Sequence, residues 1–279
     1  MRWQCRTAPS LGALEDTSDN TWGTKPYLDE YQSTVFFGLY GLPDFYTLWR
    51  HKGRKAILWA GTDIQHFMRG YWLDDEGRIR VDPEPLARWI NENCESYVEN
   101  GIEHQELMAF GIESKIVPSF LGDVNKYEIS YVPAERPQVY ASVSGDNFAM
   151  YGWELIELIA DECEVDFHLY GNTKEWVSKH SNVFVHGRVP KEQMNEEIKN
   201  MQCGLRVLEH DGFSEVLAKS VLWGQWPISR IGYPNITSYT TNDELVRALN
   251  DLKNKTQPNT KAREYYLQNL NKYPWKYEV

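Results

Sequence analysis

The sequence predicts an α/β protein made of two Rossmann-like domains facing across a cleft. Apolar runs of strand length alternate with segments of helical period from about Val35 to Ser119, and the alternation resumes at Gln138. Between them "LGDVNKYEISYVPAERP" has no period and carries Pro133 and Pro137, the mark of a junction. The 279 residues suffice for two cores. The expected layout is residues 1–119, a linker over 120–137, a second domain over 138–265 and a tail over 266–279.

In chain order, "RWQCR" reads as a strand, and the polar, turn-rich segment up to residue 33 reads as loop. "TVFFGLYG" is a buried strand. "LPDFYTLWRHKG" is a helix with Pro43 near its start and Gly53 past its end, and "KAILWAG" is the next strand, closing a β-α-β unit. "GTDIQHF" reads as a strand-end turn. Arg88 to Asn93 has helical period, "CESYVE" is a strand, "NGIEHQELMAFG" a helix closed by Gly111, and "ESKIVPS" a strand. In the second series "QVYASVS", "EVDFHLYG", "NVFVHG", "CGLRVLE" and "WPISRI" are strands. The helices are "AMYGWELIELIADE", "NTKEWVSKH" capped by Asn172, "KEQMNEEIKNM", "FSEVLAKSVLWG", "TNDELVRALNDLKN" and "TKAREYYLQNLNKY". Strands alternating with helices imply mostly parallel sheets.

A formal charge of -11 and a pI near 5.2 argue against a nucleic-acid partner, because that affinity comes from Lys and Arg neutralising phosphates. Cys5, Cys94, Cys163 and Cys203 have no paired spacing, so they read as reduced thiols of a cytoplasmic protein. No apolar run is long enough for a membrane span, and the N-terminus lacks the order of a signal peptide. His168, His180 and His186 lack ligand spacing, so no metal site is expected. With 11 Trp and 17 Tyr, rings in polar settings such as "GYWLDDEG" and "YPWKYEV" suit either a groove or half-buried packing. The cluster Arg50 to Lys55, "RHKGRK", is a solvated helix end or a contact for an anionic acceptor.

The stretch "RVLEHDGFSEVLAKSVLWGQWPIS" runs strand, turn, helix, strand, with Asp211 and Gly212 at the corner. The carboxyl ends of strands in open α/β sheets collect ligands, and a helix N-terminus there offers N–H groups to an anion. This stretch, together with "VFVHGRVPKEQMNEEIKNM" and "SGDNFAMYGWELI", resembles the retaining GT-B glycosyltransferases. "GIEHQELMAFGIESKIVPSF" is similar to the segment before that class's interdomain linker.

The resemblance implies a GT-B-like fold and a hexosyltransferase moving sugar from a UDP- or GDP-sugar to a glycan or other hydroxyl acceptor, with no prosthetic group and no metal. The second domain would hold the donor, the first would present the acceptor, and the tail would pack back on the first. Donor contacts fall on Gly145, Asp146, Asn147, Arg188, Val189, Asp211, Gly212, Phe213, Ser214 and Lys219. Asp63 and His66 fall on the acceptor side, and Asp63, Lys219 and Arg188 are the candidate catalytic residues. Arg188, Lys219 and the N–H groups of Gly212 to Ser214 make the expected phosphate cradle. The sequence also departs from the class. Asp146 and Tyr151 stand where Arg and Lys usually meet the diphosphate, and Lys219 stands at the usual second Glu, eight residues after Asp211. Those departures leave two alternatives: an inactive GT-B-like protein that binds glycan or nucleotide, and a phage-type DNA-base glucosyltransferase.

Overall fold

A computed structural model describes residues 2–14, 20–69 and 83–276. The ring-rich stretch 70–77 and the last three residues of the tail lie outside the described residues. Contacts divide the chain into two compact units: Met1–Asp123 with His210–Phe213 and Asn269–Val279, and Val124–Glu209 with Ser214–Gln268. The corner expected to serve the second domain thus belongs to the first unit.

The first unit is a six-stranded parallel sheet of order β2-β1-β3-β4-β5-β6, with β1 Gln4–Thr7, β2 Lys25–Pro26, β3 Thr34–Phe37, β4 Lys55–Leu58, β5 Cys94–Val98 and β6 Lys115–Ile116. Its helices are α1 Leu42–Arg50, α2 Thr62–Arg69, α3 Pro83–Asn93 and α4 Gly101–Ala109. Successive strand residues point to opposite faces, and here both faces are apolar, as a parallel sheet requires. Phe36 and Ile57 enter one cluster with Leu48, Trp59 and Phe67. Val35, Phe37, Ala56 and Leu58 enter another with Trp3, Trp22, Tyr97, Tyr273 and Trp275. Tyr273 and Trp275, stacked at 4.5 Å and 6°, bring the C-terminal segment into that second cluster.

The second unit is also a six-stranded parallel sheet, of order β12-β11-β10-β7-β8-β9. Its strands are β7 Gln138–Ser142, β8 Asp166–Tyr170, β9 Val183–Gly187, β10 Cys203–Arg206, β11 Ile228–Ser229 and β12 Thr237–Ser238. The helices are α5 Trp153–Ile159, α6 Lys191–Ile198, α7 Glu215–Leu222, α8 Asn242–Asn250 and α9 Thr260–Asn269. Val139, Ala141, Phe167, Leu169, Trp153 and Ile156 share one core. Tyr140 and Tyr170 face the other way, against Ile198, Met201 and Val216.

Four local expectations are corrected. Residues 173–180 form no helix: the N–H groups of Thr173 and Lys174 that would open one are bonded to Asp146, and Trp176 is drawn onto Phe148 and Trp153 at 4.6 and 5.6 Å. The stretch after β4 is the helix α2 rather than a turn, because Ile64 and Phe67 are both fully buried at helical spacing. Helix α3 begins five residues before Arg88, at Pro83, where a proline is favoured in the first turn. Helix α5 begins only at Trp153, because Gly152 takes the left-handed conformation.

Asn271 fixes the terminal segment in the first unit. Its Oδ1 accepts from Trp22 Nε1 at 3.3 Å and Phe120 N at 3.1 Å, and its Nδ2 donates to Phe120 O at 2.7 Å. The residue is buried and left-handed, at φ 55°, a conformation Asn tolerates better than most. Asn271→Ala orphans three buried polar groups. It is expected to cost about 3 kcal/mol, read as an earlier transition in urea followed by near-ultraviolet circular dichroism of the Trp3, Trp22 and Trp275 cluster.

Candidate functional site

The order of the second sheet reverses beside β7, whose chain successor β8 lies on one side and β10 on the other. Such a switch point opens a crevice at the carboxyl ends of the two strands. Two segments meet there, the loop 143–152 after β7 and the chain leaving β10 at Arg206. The loop carries three left-handed residues, Gly145 at φ 62°, Asp146 at φ 53° and Gly152 at φ 75°. Gly152 is doubly required, since a Cβ there would lie 1.8 Å from Val207 Cγ2. This contact clamps the loop against the end of β10.

Asp146 is held away from helical geometry by its own carboxylate, which accepts from Thr173 N at 2.7 Å, Lys174 N at 3.3 Å and the Thr173 hydroxyl. These bonds hold its carboxyl below the usual range. Asn147 is exposed and accepts weakly from Met150 N at 3.4 Å. Arg188 is exposed directly after β9, and Val189 packs beside Tyr140 and Tyr170.

Lys219 is neither a solvated helix residue nor an open cation. It is only 5% exposed, and its Nζ donates to Asn195 Oδ1 at 2.7 Å and lies 3.2 Å from Glu215 Oε1. Burial lowers its pKa, against the opposing pull of Glu215. Lys191 meets the same carboxylate at 2.7 Å. Ser214 caps α7 by accepting from Leu217 N at 3.3 Å.

In the first unit the corner residues have a different environment from the one expected. Phe213 N–H donates to Glu99 Oε2 at 2.6 Å, so the expected cradle is already filled at that donor by an internal carboxyl group. Asn100 Nδ2 donates to Asp211 O at 2.7 Å, and its Oδ1 caps α4 by accepting from Ile102 and Glu103 N. His210 Nε2 lies 2.7 Å from Glu106 Oε2. A Cβ on Gly212 would fall 2.0 Å from Glu99 Oε2, so a side chain there would have to push the end of this carboxyl group aside.

Glu99 stands beside Glu103, fully buried, whose Oε2 accepts from Glu99 N at 2.7 Å while Oε1 has no partner. Burial pushes the Glu99 carboxyl up to about 8, with Asp211 adding repulsion against the Phe213 N–H bond. Burial and then Glu99 raise Glu103 as well. Sequence reasoning missed both residues. The available signal was position, because Glu99 is the first residue after β5, at the carboxyl edge.

Asp63 is fully buried, with both carboxylate oxygens turned to main-chain N–H groups. Oδ2 accepts from Leu39 N and Oδ1 from Ala60 N, each at 2.9 Å, which fastens the turns after β3 and β4. Burial raises its carboxyl to about 6 despite these bonds. His66 is exposed, and its ring meets Tyr40 edge-on at 5.9 Å. Among the described residues no three His, Cys, Asp or Glu side chains form a metal-binding group, and no helix is long and apolar enough to cross a membrane.

No known protein-family profile matches the sequence, and no curated protein matches it. Solved structures share its architecture. TarM from S. aureus, in complex with fondaparinux, α-GlcNAc-glycerol and UDP, matches with TM-score 0.58 and 14% identity over 90% of this chain and 54% of its own. Anabaena HepE, in complex with UDP and glucose, gives 0.57 and 12% over 93% and 79%. A trehalose 6-phosphate synthase from Burkholderia multivorans gives 0.58 and 9% over 89% and 70%. The chain spans about half the length of TarM. The likeness and the two parallel sheets show the two-domain, Rossmann-like GT-B fold.

Glu99 gives the first unit a distinctive pH dependence. The folded unit keeps its proton up to about pH 8, whereas the unfolded chain releases it near 4.5, so the folded state binds more protons in between. The stability this group contributes is complete below pH 4.5 and is lost as pH rises through about 8. Denaturation midpoints should therefore fall across that window, and Glu99→Gln should flatten the fall. Gly212→Val, which displaces Glu99, should destabilise the unit by about 2 kcal/mol or more, visible as a lowered melting temperature.

Proposed function

We propose that the chain is a retaining glycosyltransferase that moves a hexose from a UDP- or GDP-sugar to a hydroxyl acceptor. The observation that carries this reading is the glycine-bearing loop 143–152 at the β7/β10 switch point of the second unit, where a parallel sheet collects its ligand. Two structures of the same fold, TarM and HepE, hold UDP.

The donor is assigned to the second unit, with Gly145 and Asn147 of the loop, Arg188 and Val189 after β9, and the capped start of α7 at Ser214. Asp146 serves by shaping the loop, since its carboxylate is committed to Thr173 and Lys174. Lys219 acts through Glu215 and Asn195, fixing α7 against α6. The acceptor is assigned to the first unit, with exposed His66 on that side. Asp63 is a positioning residue that holds the turns around it, and the Asp211 to Phe213 corner likewise positions Glu99.

In the retaining reaction the diphosphate leaves from the face on which the hydroxyl attacks. Positioning and charge stabilisation at the leaving oxygens then supply the catalysis, without an enzyme nucleophile. A glycan or other small hydroxyl acceptor fits an acidic chain of charge -11 better than a nucleic acid does, and the reading places the protein in the cytoplasm.

Isothermal titration of the whole chain with UDP, GDP and ADP tests the donor assignment. One of the first two should bind with a dissociation constant on the order of 1–100 μM, and release of sugar from the matching nucleotide sugar should follow in the presence or absence of added acceptor. Failure of all three nucleotides to bind overturns the reading. Binding without any sugar release selects the inactive alternative.

A further inference from the structure

The cluster "RHKGRK" at the end of α1 separates into two groups in the folded unit. Arg54 lies 2.6 Å from Glu95, Lys55 is buried and donates to Gly53 O at 3.3 Å, and His51 is buried with its Nδ1 3.3 Å from the Tyr27 hydroxyl. Arg50 and Lys52 remain. Both are exposed, and neither has a hydrogen-bond or ion-pair partner among the described residues.

Two exposed rings stand beside them. Asp44, Phe45 and Leu48 form the buried face of α1, whereas Tyr46 and Trp49 are 55% and 54% exposed. Residues three and four apart on a helix are neighbours on one face, so Tyr46, Trp49 and Arg50 make one group, which exposed Pro43 extends by a turn. Lys52 follows in the turn that Glu30 O ties down, accepting from Lys52 N at 2.7 Å and Gly53 N at 3.0 Å. The outward face of α1 carries no acid, because the helix's one carboxylate, Asp44, is buried 3.0 Å from Arg6.

These are the parts that an anionic glycan requires. Exposed Trp and Tyr present flat apolar surface that matches the C–H face of a sugar ring, and the indole N–H and phenol O–H reach its hydroxyls. A guanidinium makes two parallel bonds to a carboxylate or sulfate, and an ammonium adds a point contact. A glycan with at most one charge per ring needs few cations, whereas a nucleic-acid duplex carries a charge every ~1.7 Å along its axis and needs a broad basic face. An anionic bilayer would press a flat surface on Asp29 and Glu30 as well, both exposed in the segment bonded to the Lys52–Gly53 turn. A narrow strand lying along α1 meets the helix face alone.

We propose that the outward face of α1, with Tyr46, Trp49, Arg50 and Lys52, binds an anionic glycan and so holds a polymeric acceptor on the first unit. The choice of a glycan rests on the glycosyltransferase reading above and deepens it by naming the acceptor class. Helix α1 leaves the carboxyl edge after β3 and returns to the amino edge before β4, a run of about 13 Å. The face therefore holds the length of an acceptor chain rather than its reacting sugar.

The test is isothermal titration of the full chain with hexasaccharides: oligogalacturonate, a heparin fragment and neutral maltohexaose. At least one anionic ligand should bind, and maltohexaose should bind about tenfold more weakly or less. Trp49→Ala should weaken the anionic ligand about tenfold. Arg50→Gln combined with Lys52→Gln should do the same and abolish the preference over maltohexaose, and added salt should weaken the parent more than this double variant. Lys272→Gln, which removes an exposed cation from the terminal segment of the same unit, should bind like the parent. Thermal melts identify any variant that does not fold, and the exposed Arg50 and Lys52 pair carries the comparison if Trp49→Ala is one. Failure of both anionic hexasaccharides to bind overturns the proposal, as does binding that neither α1 variant weakens. Polyglutamate or phosphatidylglycerol vesicles binding as tightly as the anionic sugars overturn it in favour of a protein or a membrane partner. The nucleotide titration is a separate measurement. Nucleotide bound without anionic glycan overturns this inference alone, and anionic glycan bound with none of UDP, GDP and ADP supports the face while overturning the transferase reading.

Discussion

Every strand pairing in both sheets is parallel, and a parallel pair cannot be closed by a hairpin. Each strand must return over a face of its sheet, so all loops that follow strands gather along one edge and both faces are covered. That constraint explains the strand composition. Phe36 and Val35, or Ile57 and Leu58, are equally buried although they point in opposite directions. It also locates the proposed donor site. Wherever strand order reverses, the two connections leave in opposite directions and a crevice opens at the edge they share, between β7 and β10 in the second unit.

The alternation of strands and helices was legible in the sequence because periodicity reports burial, and burial on both sheet faces is what the fold demands. Boundaries and special conformations were less legible because distant partners fix them. Nothing local in "NTKEWVSKH" reveals that Asp146, 27 residues earlier, takes the N–H of Thr173, or that Trp176 joins Phe148 and Trp153. Asp63 looked like a residue facing a ligand because it ends a strand at the carboxyl edge. It does lie just after β4, but both oxygens are used on the backbone of its own unit. The glycines told more than the acids. Gly145 and Gly152 sit where a positive φ disfavours a side chain, and Val207 crowds Gly152 as well, whereas at Gly212 a Cβ meets only the end of the Glu99 side chain.

Buried and half-buried carboxyl groups take the place of backbone in the first unit. Asp63, Glu99 and Glu103 each accept from main-chain N–H groups that the turns after β3, β4 and β5, and the 210–213 corner, leave without carbonyl partners. Orphaned buried N–H groups are costly, so a carboxyl oxygen at each is favourable. Three acids so close together cannot all ionise, and Glu99 and Glu103 are displaced toward the protonated form. A protonated carboxyl still accepts through its second oxygen. The arrangement thus satisfies the backbone at neutral pH while keeping Glu99 and Glu103 displaced toward the uncharged form.

The acidity of the whole chain and the anionic donor proposed for the second unit are reconciled by the same local logic. A charge of -11 repels a diphosphate only where the carboxylates face it, because solvent and salt screen the rest within about 8–10 Å. Around the second sheet's carboxyl edge the acids are tied down: Asp146 by a turn, Glu209 by Arg230, Glu215 by Lys191 and Lys219. Each such tie removes a repulsion, and the first also gives the loop its left-handed start at Gly145 and Asp146. Replacing a loop arginine by an aspartate is therefore not equivalent to inverting the charge of the site, since the carboxylate turns into loop scaffolding. The ring at Tyr151, in the same loop, meets the guanidinium of Arg206 at the end of β10.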